Sequence, residues 1–224
     1  MDRFIRHLNS HFKDHDPCRL QLLEHTKIIK GNRDQVYCRE DESRAYWCYV
    51  LEGTVGAYET NLKKPYIHWV ATEGHYFTGT KHEYSFNSQA LSIQFLTRST
   101  IACIPLSLLQ QLQDKYPSAH HFVSIMRQKK SDFFNKKGLI TIQDALNRYE
   151  KLHDLMPDIC YSLNNKQLSQ FLYIDPKTLY QSKKNTSLQQ KINCYPSTRF
   201  RDKIYPLLCN RQSDSCNEKH QSKR

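Results

Sequence analysis

Residues 162–185 read SLNNKQLSQFLYIDPKTLYQSKKN, and this stretch decides how the rest of the chain is parsed. Leu168, Phe171 and Leu172 stand three and four apart, on one face of a helix that Asn164 or Asn165 caps. Asp175 then offers a second cap acceptor. Pro176 takes the first helical position, where an N–H would have had no partner. Thr178 and Leu179 open a second short helix, which ends at Lys183 and Lys184. Two short helices joined by a tight turn, the second basic and polar, describe a helix-turn-helix; a helical hairpin in an ordinary bundle is the alternative. In the first reading Lys166, Lys183 and Lys184 contact DNA phosphates, while Lys177, Thr178 and Gln181 face base edges.

Helical spacing extends upstream. Thr141 and Asp144 read as a capping box for a helix carrying Ile142, Leu146, Tyr149, Leu152 and Leu155, stopped by Pro157. Residues 118–137 carry Ala119, Phe122, Val123, Met126, Phe133 and Phe134, three to four apart except where Lys129 and Lys130 interrupt, and Asn135–Gly138 breaks the pattern. That stripe is core or partner surface. Leu106, Leu108, Leu109 and Leu112 form a shorter segment closed before Pro117. From about 20 to 105 the texture is different: KIIKGNRD, QVYCRED, AYWCYVLEGTVGAYE, PYIHWVATEGHYF and ALSIQFLTRSTIACIP are short β-rich runs separated by turn residues. They argue an all-β roll or sandwich, with Gly53 and Gly56 at turns or close approaches. At the N-terminus Phe4, Ile5, Leu8 and Phe12 predict an amphipathic helix within 2–14. His7, His11 and His15 recur every fourth residue there, and read as an exposed polar face rather than metal ligands.

Charge follows the same division. Residues 1–110 hold 13 Lys/Arg against 12 Asp/Glu, and residues 111–224 hold 20 against 10, so almost all of the net +11 lies in the second half. A near-neutral front and a basic rear suggest two domains, the second facing a polyanion. Four segments follow: 1–110, a β-roll sensor domain with its N-terminal helix; 111–138, a connecting and dimerisation helix; 139–210, the helix-turn-helix domain; and 211–224, a flexible tail. Between 185 and 210, Arg199, Arg201 and Lys203 lie among aromatics, as a wing, a packing segment or a basic arm. The eight cysteines are widely spaced, without a CxxC pair, and read as reduced, buried thiols of a cytoplasmic protein. No apolar run reaches the ~20 residues of a bilayer span, and the charged N-terminus lacks a signal-like apolar core. GxSxG, HExxH, GxxxxGK[ST] and GxGxxG are absent, so an enzyme is not expected, nor a cofactor or metal.

The order of roll, long helix and helix-turn-helix over about residues 20–184 resembles the Crp/Fnr family of bacterial transcription regulators. KGNRDQVYCRED followed by YVLEGTVGAY is similar to that family's cyclic-nucleotide-binding-type roll at Gly31, Gly53 and Val55. LSQFLYIDPKTLYQ is similar to its recognition segment at Leu168, Leu172, Ile174, Thr178 and Leu179. The resemblance implies an α+β protein that binds double-stranded DNA as a homodimer, with Phe122, Val123, Met126 and Phe133 at the dimer interface and an unidentified small-molecule effector in the roll. By position in the family pattern, Phe77, Thr80, Lys81 and Gln89 line that effector site. The departures are specific. The family's nucleotide cassette carries a Glu for the ribose hydroxyl and an Arg for the cyclic phosphate; here the turn Gly74–Lys81 has no Glu, and Ser88-Gln89-Ala90 carries no positive charge. Tyr173 stands where Gly is frequent, and Gln181 where an Arg often reads guanine. The expected function is a DNA-binding regulator that does not respond to cyclic AMP. The alternative is a sensor or protein-interaction module whose helix-turn-helix no longer binds DNA.

Overall fold

The period-2 alternation of residues 44–52 is used on both sides of one strand. In the computed structural model, which describes residues 2–59, 65–88 and 90–194, with side chains to 187, β3 (Arg44–Glu52) turns Trp47, Tyr49 and Leu51 one way and Cys48 and Val50 the other. Both sets are buried, which is why the run YWCYVL is apolar throughout. β8 (Ser99–Pro105) repeats the arrangement, with Ala102 and Ile104 against Ile101 and Cys103.

β3 and β8 are the inner strands of one four-stranded antiparallel sheet, in the order β1 (Lys27–Gly31), β8, β3, β6 (Tyr76–Gly79). The second sheet runs β2 (Val36–Cys38), β7 (Ser92–Phe95), β4 (Val55–Glu59), β5 (Tyr66–Ala71). Tyr37, Val55, Phe77, Ile93, Phe95 and Ile101 close the core between them. Cys48 and Cys103 are paired in register there, Sγ to Sγ 3.4 Å, unbridged and beside the Tyr37 hydroxyl. At the β3–β4 turn Gly53 has φ +83°, and at Gly56 a Cβ would come within 2.8 Å of Leu96. The roll is held by both.

Helices cover the outer face of the first sheet. α1 (Asp2–Asn9) lays Phe4 and Leu8 on β3, with Phe12 following. α2 (Pro17–Glu24) is an element the sequence reading passes over, although Asp16 caps it by accepting from the Cys18 N–H and Pro17 occupies its first turn. α3 (Leu106–Lys115) buries Leu106, Leu109 and Leu112. α4 (Pro117–Thr141) is longer than expected, because Gly138 does not end it. A helical Gly costs about 1 kcal/mol against Ala, and buried Phe133, Lys137 and Ile140 on either side hold the helix through it.

The Thr141–Asp144 capping box does not form. Thr141 belongs to α4 and its hydroxyl donates to the Lys137 carbonyl at 2.8 Å, so it caps nothing. Ile142 and Leu146, expected inside, are exposed. The next helix, α5 (Arg148–Leu155), starts after Asn147 without a side-chain cap. It is followed by α6 (Pro157–Ser162), α7 (Asn165–Leu172) and α8 (Pro176–Cys194). α8 runs ten residues past the expected stop at Lys184, since no breaker intervenes before Pro196. Among the described residues no helix is long and apolar enough to cross a membrane. Gln89, the 195–210 segment and the tail lie outside the described residues.

The stripe expected at a dimer interface is used up inside one chain. Phe122 is 0 % exposed and Met126 1 %, against Phe12, Trp47 and Ala119. Val123 joins them, and Phe133 packs in a second core with Ile67, Val70, Leu96, Phe171 and Leu179. Enclosed by α1, β3 and α7, these four side chains are at most 9 % exposed.

Candidate functional site

The turn between α7 and α8 is built as the sequence reads. Asn164 accepts from the Gln167 N–H at 2.9 Å while the Gln167 side chain accepts from the Asn164 N–H at 3.1 Å, a complete capping box. Tyr173 closes α7 in the left-handed region, φ +53°, a conformation that disfavours a bulky residue. Its position is secured from outside. The Arg148 guanidinium donates to the Leu172 and Tyr173 carbonyls at 3.0 and 3.3 Å, and the Tyr173 ring packs edge-on against Tyr66 of β5. Arg148 therefore holds the turn, a role that its place in a charged helix does not announce. On α8, Leu179, Ser182 and Thr186 are buried, and the Ser182 hydroxyl donates to the Leu146 carbonyl.

That packing leaves Lys177, Tyr180, Gln181 and Lys184 in solvent, at i, i+3, i+4 and i+7. Thr178 is half-buried beside it. Tyr180 is 72 % exposed and was not singled out by sequence, where a tyrosine reads as core. Lys183 is turned elsewhere: its ammonium donates to Asn165 Oδ1 at 2.6 Å and stands over the Tyr149 ring, so it ties α8 to α7 and α5. Lys166 is exposed on the first turn of α7 and shares a shallow cleft with Arg33, Asp34 and Gln170.

A second feature lies where α4 crosses from one core to the other. A cavity of about 500 Å³ opens between the roll and α4, walled by Trp69, Tyr76, Phe77, Phe133 and Phe134. Phe77, Thr80 and Lys81 line it, three of the four residues expected at an effector site. From α4, Met126, Lys129 and Lys130 line it too; the lysines that interrupt the apolar stripe are the ones that face the cavity. Behind the wall, Glu83 is buried and accepts from the Tyr76 hydroxyl at 2.8 Å. Burial opposes its ionisation, but Lys130, a backbone N–H, the Tyr76 hydroxyl and Arg127 together hold its pKa below the usual carboxylate value. His68 and His75 also line the cavity; burial lowers both pKa values, and Lys137 and Lys129 respectively lower them further.

Between cavity and helix-turn-helix sits Lys137, 7 % exposed. Its ammonium donates to the Ile67 carbonyl at 3.1 Å and to the His68 carbonyl, and lies over the rings of Tyr66 and Phe171. Burial pulls its pKa from 10.5 to about 7. One side chain thus joins α4, the edge strand β5 and α7. At the other end of α4, His7 stacks on Tyr49 and lies edge-on to Phe122, as does His11. His7 and His11 pack on the core rather than forming an exposed polar face. Among the described residues no cluster of His, Cys, Asp and Glu has the makings of a metal site.

No family model matches the sequence, and no curated protein matches it. Solved structures do match. FixK2 from Bradyrhizobium japonicum superposes with a TM-score of 0.63 at 14% identity, over 74% of this chain and 86% of that one. The c-di-GMP-responsive global regulator CLP from Xanthomonas campestris gives 0.58 at 16%, over 77% and 92%. A CooA mutant from Carboxydothermus hydrogenoformans gives 0.59 at 14%, over 75% and 79%. These are Crp/Fnr regulators with a cyclic-nucleotide-binding-like fold, and this chain has their fold: a β-roll followed by a C-terminal helical domain.

Proposed function

We propose that this protein is a DNA-binding transcription regulator of the Crp/Fnr type, acting in the cytoplasm as a homodimer whose roll cavity takes a small effector other than cyclic AMP. The observation that carries the reading is the solvent-facing stripe Lys177, Tyr180, Gln181 and Lys184 on a helix whose other side is packed and whose start is clamped by Arg148. A rigid helix presenting cations beside an amide is what major-groove reading needs. The basic rear half supplies the long-range field. Lys177 and Lys184 are assigned to phosphates or base edges by place, Gln181 to a base edge, with Thr178 and Lys166 flanking. Lys183 is assigned to holding α8.

Binding to a duplex selected from a random pool tests this. Lys184→Ala is expected to weaken preferred and scrambled duplexes alike and to lower the salt slope by about 1. Gln181→Ala is expected to cost about 1–3 kcal/mol on the preferred site only. Absence of any shift at low salt would move the helix-turn-helix to the role of a protein contact.

A dimer would place two recognition helices about 34 Å apart. Along α4 the outward face it would use carries Gln128, Asp132, Asn135 and Leu139, exposed and recurring at three and four. Among the described residues that line the cavity there is no carboxylate for a ribose hydroxyl and no guanidinium for a cyclic phosphate. Calorimetry with cyclic AMP and cyclic GMP is expected to give no micromolar isotherm.

A further inference from the structure

Within α4 the inward positions run Ala119, Phe122, Met126, then Lys130, then Phe133. A lysine on the inward stripe of a core helix is expensive to enclose, and here the enclosure is a cavity rather than a core. Two more cations reach the same space: Lys129 beside it and Lys81 from the roll. Both are exposed, so they form the rim, while Lys130 is half-buried over the Tyr76 ring. Among the described residues no Asp or Glu lines the cavity, and no ion pair joins any of the three lysines to a carboxylate. Glu83 behind Tyr76 lies near enough to Lys130 to feel its field and offsets that charge in part. Burial first, and the charge of Lys129 in addition, lower the pKa values of His7, His11 and His75. The remaining walls are Trp69, Phe77, Phe133 and Phe134.

From this arrangement we infer that the cavity binds a small organic anion with a flat apolar body, the ring against Trp69, Phe77 and Phe133 and the anionic group held from the α4 side by Lys129 and Lys130, with Lys81 closing the rim. The inference deepens the effector reading above and rests on it. Apolar burial supplies affinity, and charge-assisted hydrogen bonds supply discrimination. The anion is held chiefly from the helix wall, with Lys81 as the contribution of the roll, so binding loads α4, which runs from the cavity toward α7 and α8.

Trp69 lines the cavity and reports its occupant. The test is fluorescence titration of the full chain, with no DNA present, using 1-naphthoate, 1-naphthyl phosphate and the uncharged 1-naphthalenemethanol. At least one of the two anions is expected to bind saturably at one site, about tenfold or more tighter than the alcohol. The two anions separate a carboxylate ligand from a phosphate ligand. Lys129→Gln is expected to weaken the anion several-fold and leave the alcohol unchanged, whereas Lys115→Gln, on α3 and outside the cavity lining, changes neither. Lys81→Gln provides a second variant outside the α4 core should the first perturb the helix, read by circular dichroism. Equal affinity for the alcohol and both anions, with the lysine variants silent, overturns the proposal and leaves an apolar cavity. No saturable binding of any probe overturns it as well. Loss of DNA binding in a separate experiment bears on the regulator reading alone, since none of these titrations contains DNA.

Discussion

Along α4, the first half and the second half are held by different chemistry. Ala119, Phe122, Val123 and Met126 enter an apolar core shared with α1, α2, α3 and β3, where contact is side chain to side chain over aromatic and aliphatic surface. Beyond the cavity, Phe133 and Ile140 meet a second core, but the bonds that set the geometry there are polar. Lys137 donates to two carbonyls of β5, Gln167 donates to the Leu96 carbonyl at 3.1 Å, and Arg148 donates to the two carbonyls that close α7. Apolar packing is stabilising but indifferent to pH and charge. Polar bonds from long cationic side chains to backbone carbonyls fix an orientation, and they respond to protonation. The front half of the helix belongs to the roll, and the rear half is a joint that ties β5 to α7.

The largest effect expected from this contrast is at Phe122. Phe122→Ala removes a fully buried ring from the front core and is expected to cost about 3–5 kcal/mol in urea denaturation, independent of protein concentration. A loss below about 1 kcal/mol that grows on dilution would return Phe122 to a dimer interface and break the comparison.

Lys137 sharpens the other side. Its folded pKa, about 7, lies below its unfolded value of 10.5, so the unfolded chain binds the extra proton between those pH values. Stability from this group is lowest below pH 7 and rises with pH above it, by up to about 1.4 kcal/mol per unit. Between pH 7 and about 8.5 the thiols of the unfolded chain titrate too, but equally in both proteins, so Lys137→Met is expected to differ from the parent by the lost lysine contribution, about 2 kcal/mol or less across that window. The check is the urea midpoint against pH for both proteins. Identical slopes would mean that the ammonium reaches solvent and that the joint is not built on it.

A smaller effect is expected at His7, at the front end. Burial, then His11 and Lys129, lower its pKa from 6.5 to about 4, and its Nε2 is buried without a hydrogen-bond partner. The folded state resists protonation, so this stability is complete above pH 6.5 and is lost as pH falls from 6.5 toward 4. His7→Phe keeps the stack on Tyr49 and removes the titration. It is expected to gain about 1 kcal/mol near pH 5 and nothing at pH 7.5, measured as the thermal midpoint at the two pH values. An equal gain at both would assign the effect to packing alone.

How much of this was legible beforehand differs from element to element. The roll was, because alternation such as Trp47-Cys48-Tyr49-Val50 is a local property of an extended chain with two buried faces. The α7–α8 turn was, because caps and Pro176 act within four residues. α2 carried the same Asp-Pro signal at 16–17 and was hidden only by the strand texture that follows it. At the candidate sites the local signal was partial. Phe77, Thr80 and Lys81 were placed through the resemblance, but Lys129 and Lys130 stood out only as an interruption. Lys183 and Lys184 are adjacent and alike in sequence, yet one is a strut to Asn165 and the other faces solvent.

By itself, then, the sequence determined which residues share a face, where helices can start, and that positive charge gathers in the second half. Each depends on neighbours within a turn or two of backbone. What covers each face was decided only by tertiary structure. The stripe of Phe122, Val123, Met126 and Phe133 would read the same beneath α1 and β3 as against a second copy. A lysine in that stripe would read the same at a cavity, at a joint or in water. Burial, a depressed lysine pKa and the cavity come from contacts between residues far apart in sequence: Lys137 with Ile67, Gln167 with Leu96, Lys129 with Trp69 across one space. Those contacts form when the roll and the helices close on each other, and helical period carries no record of the partner.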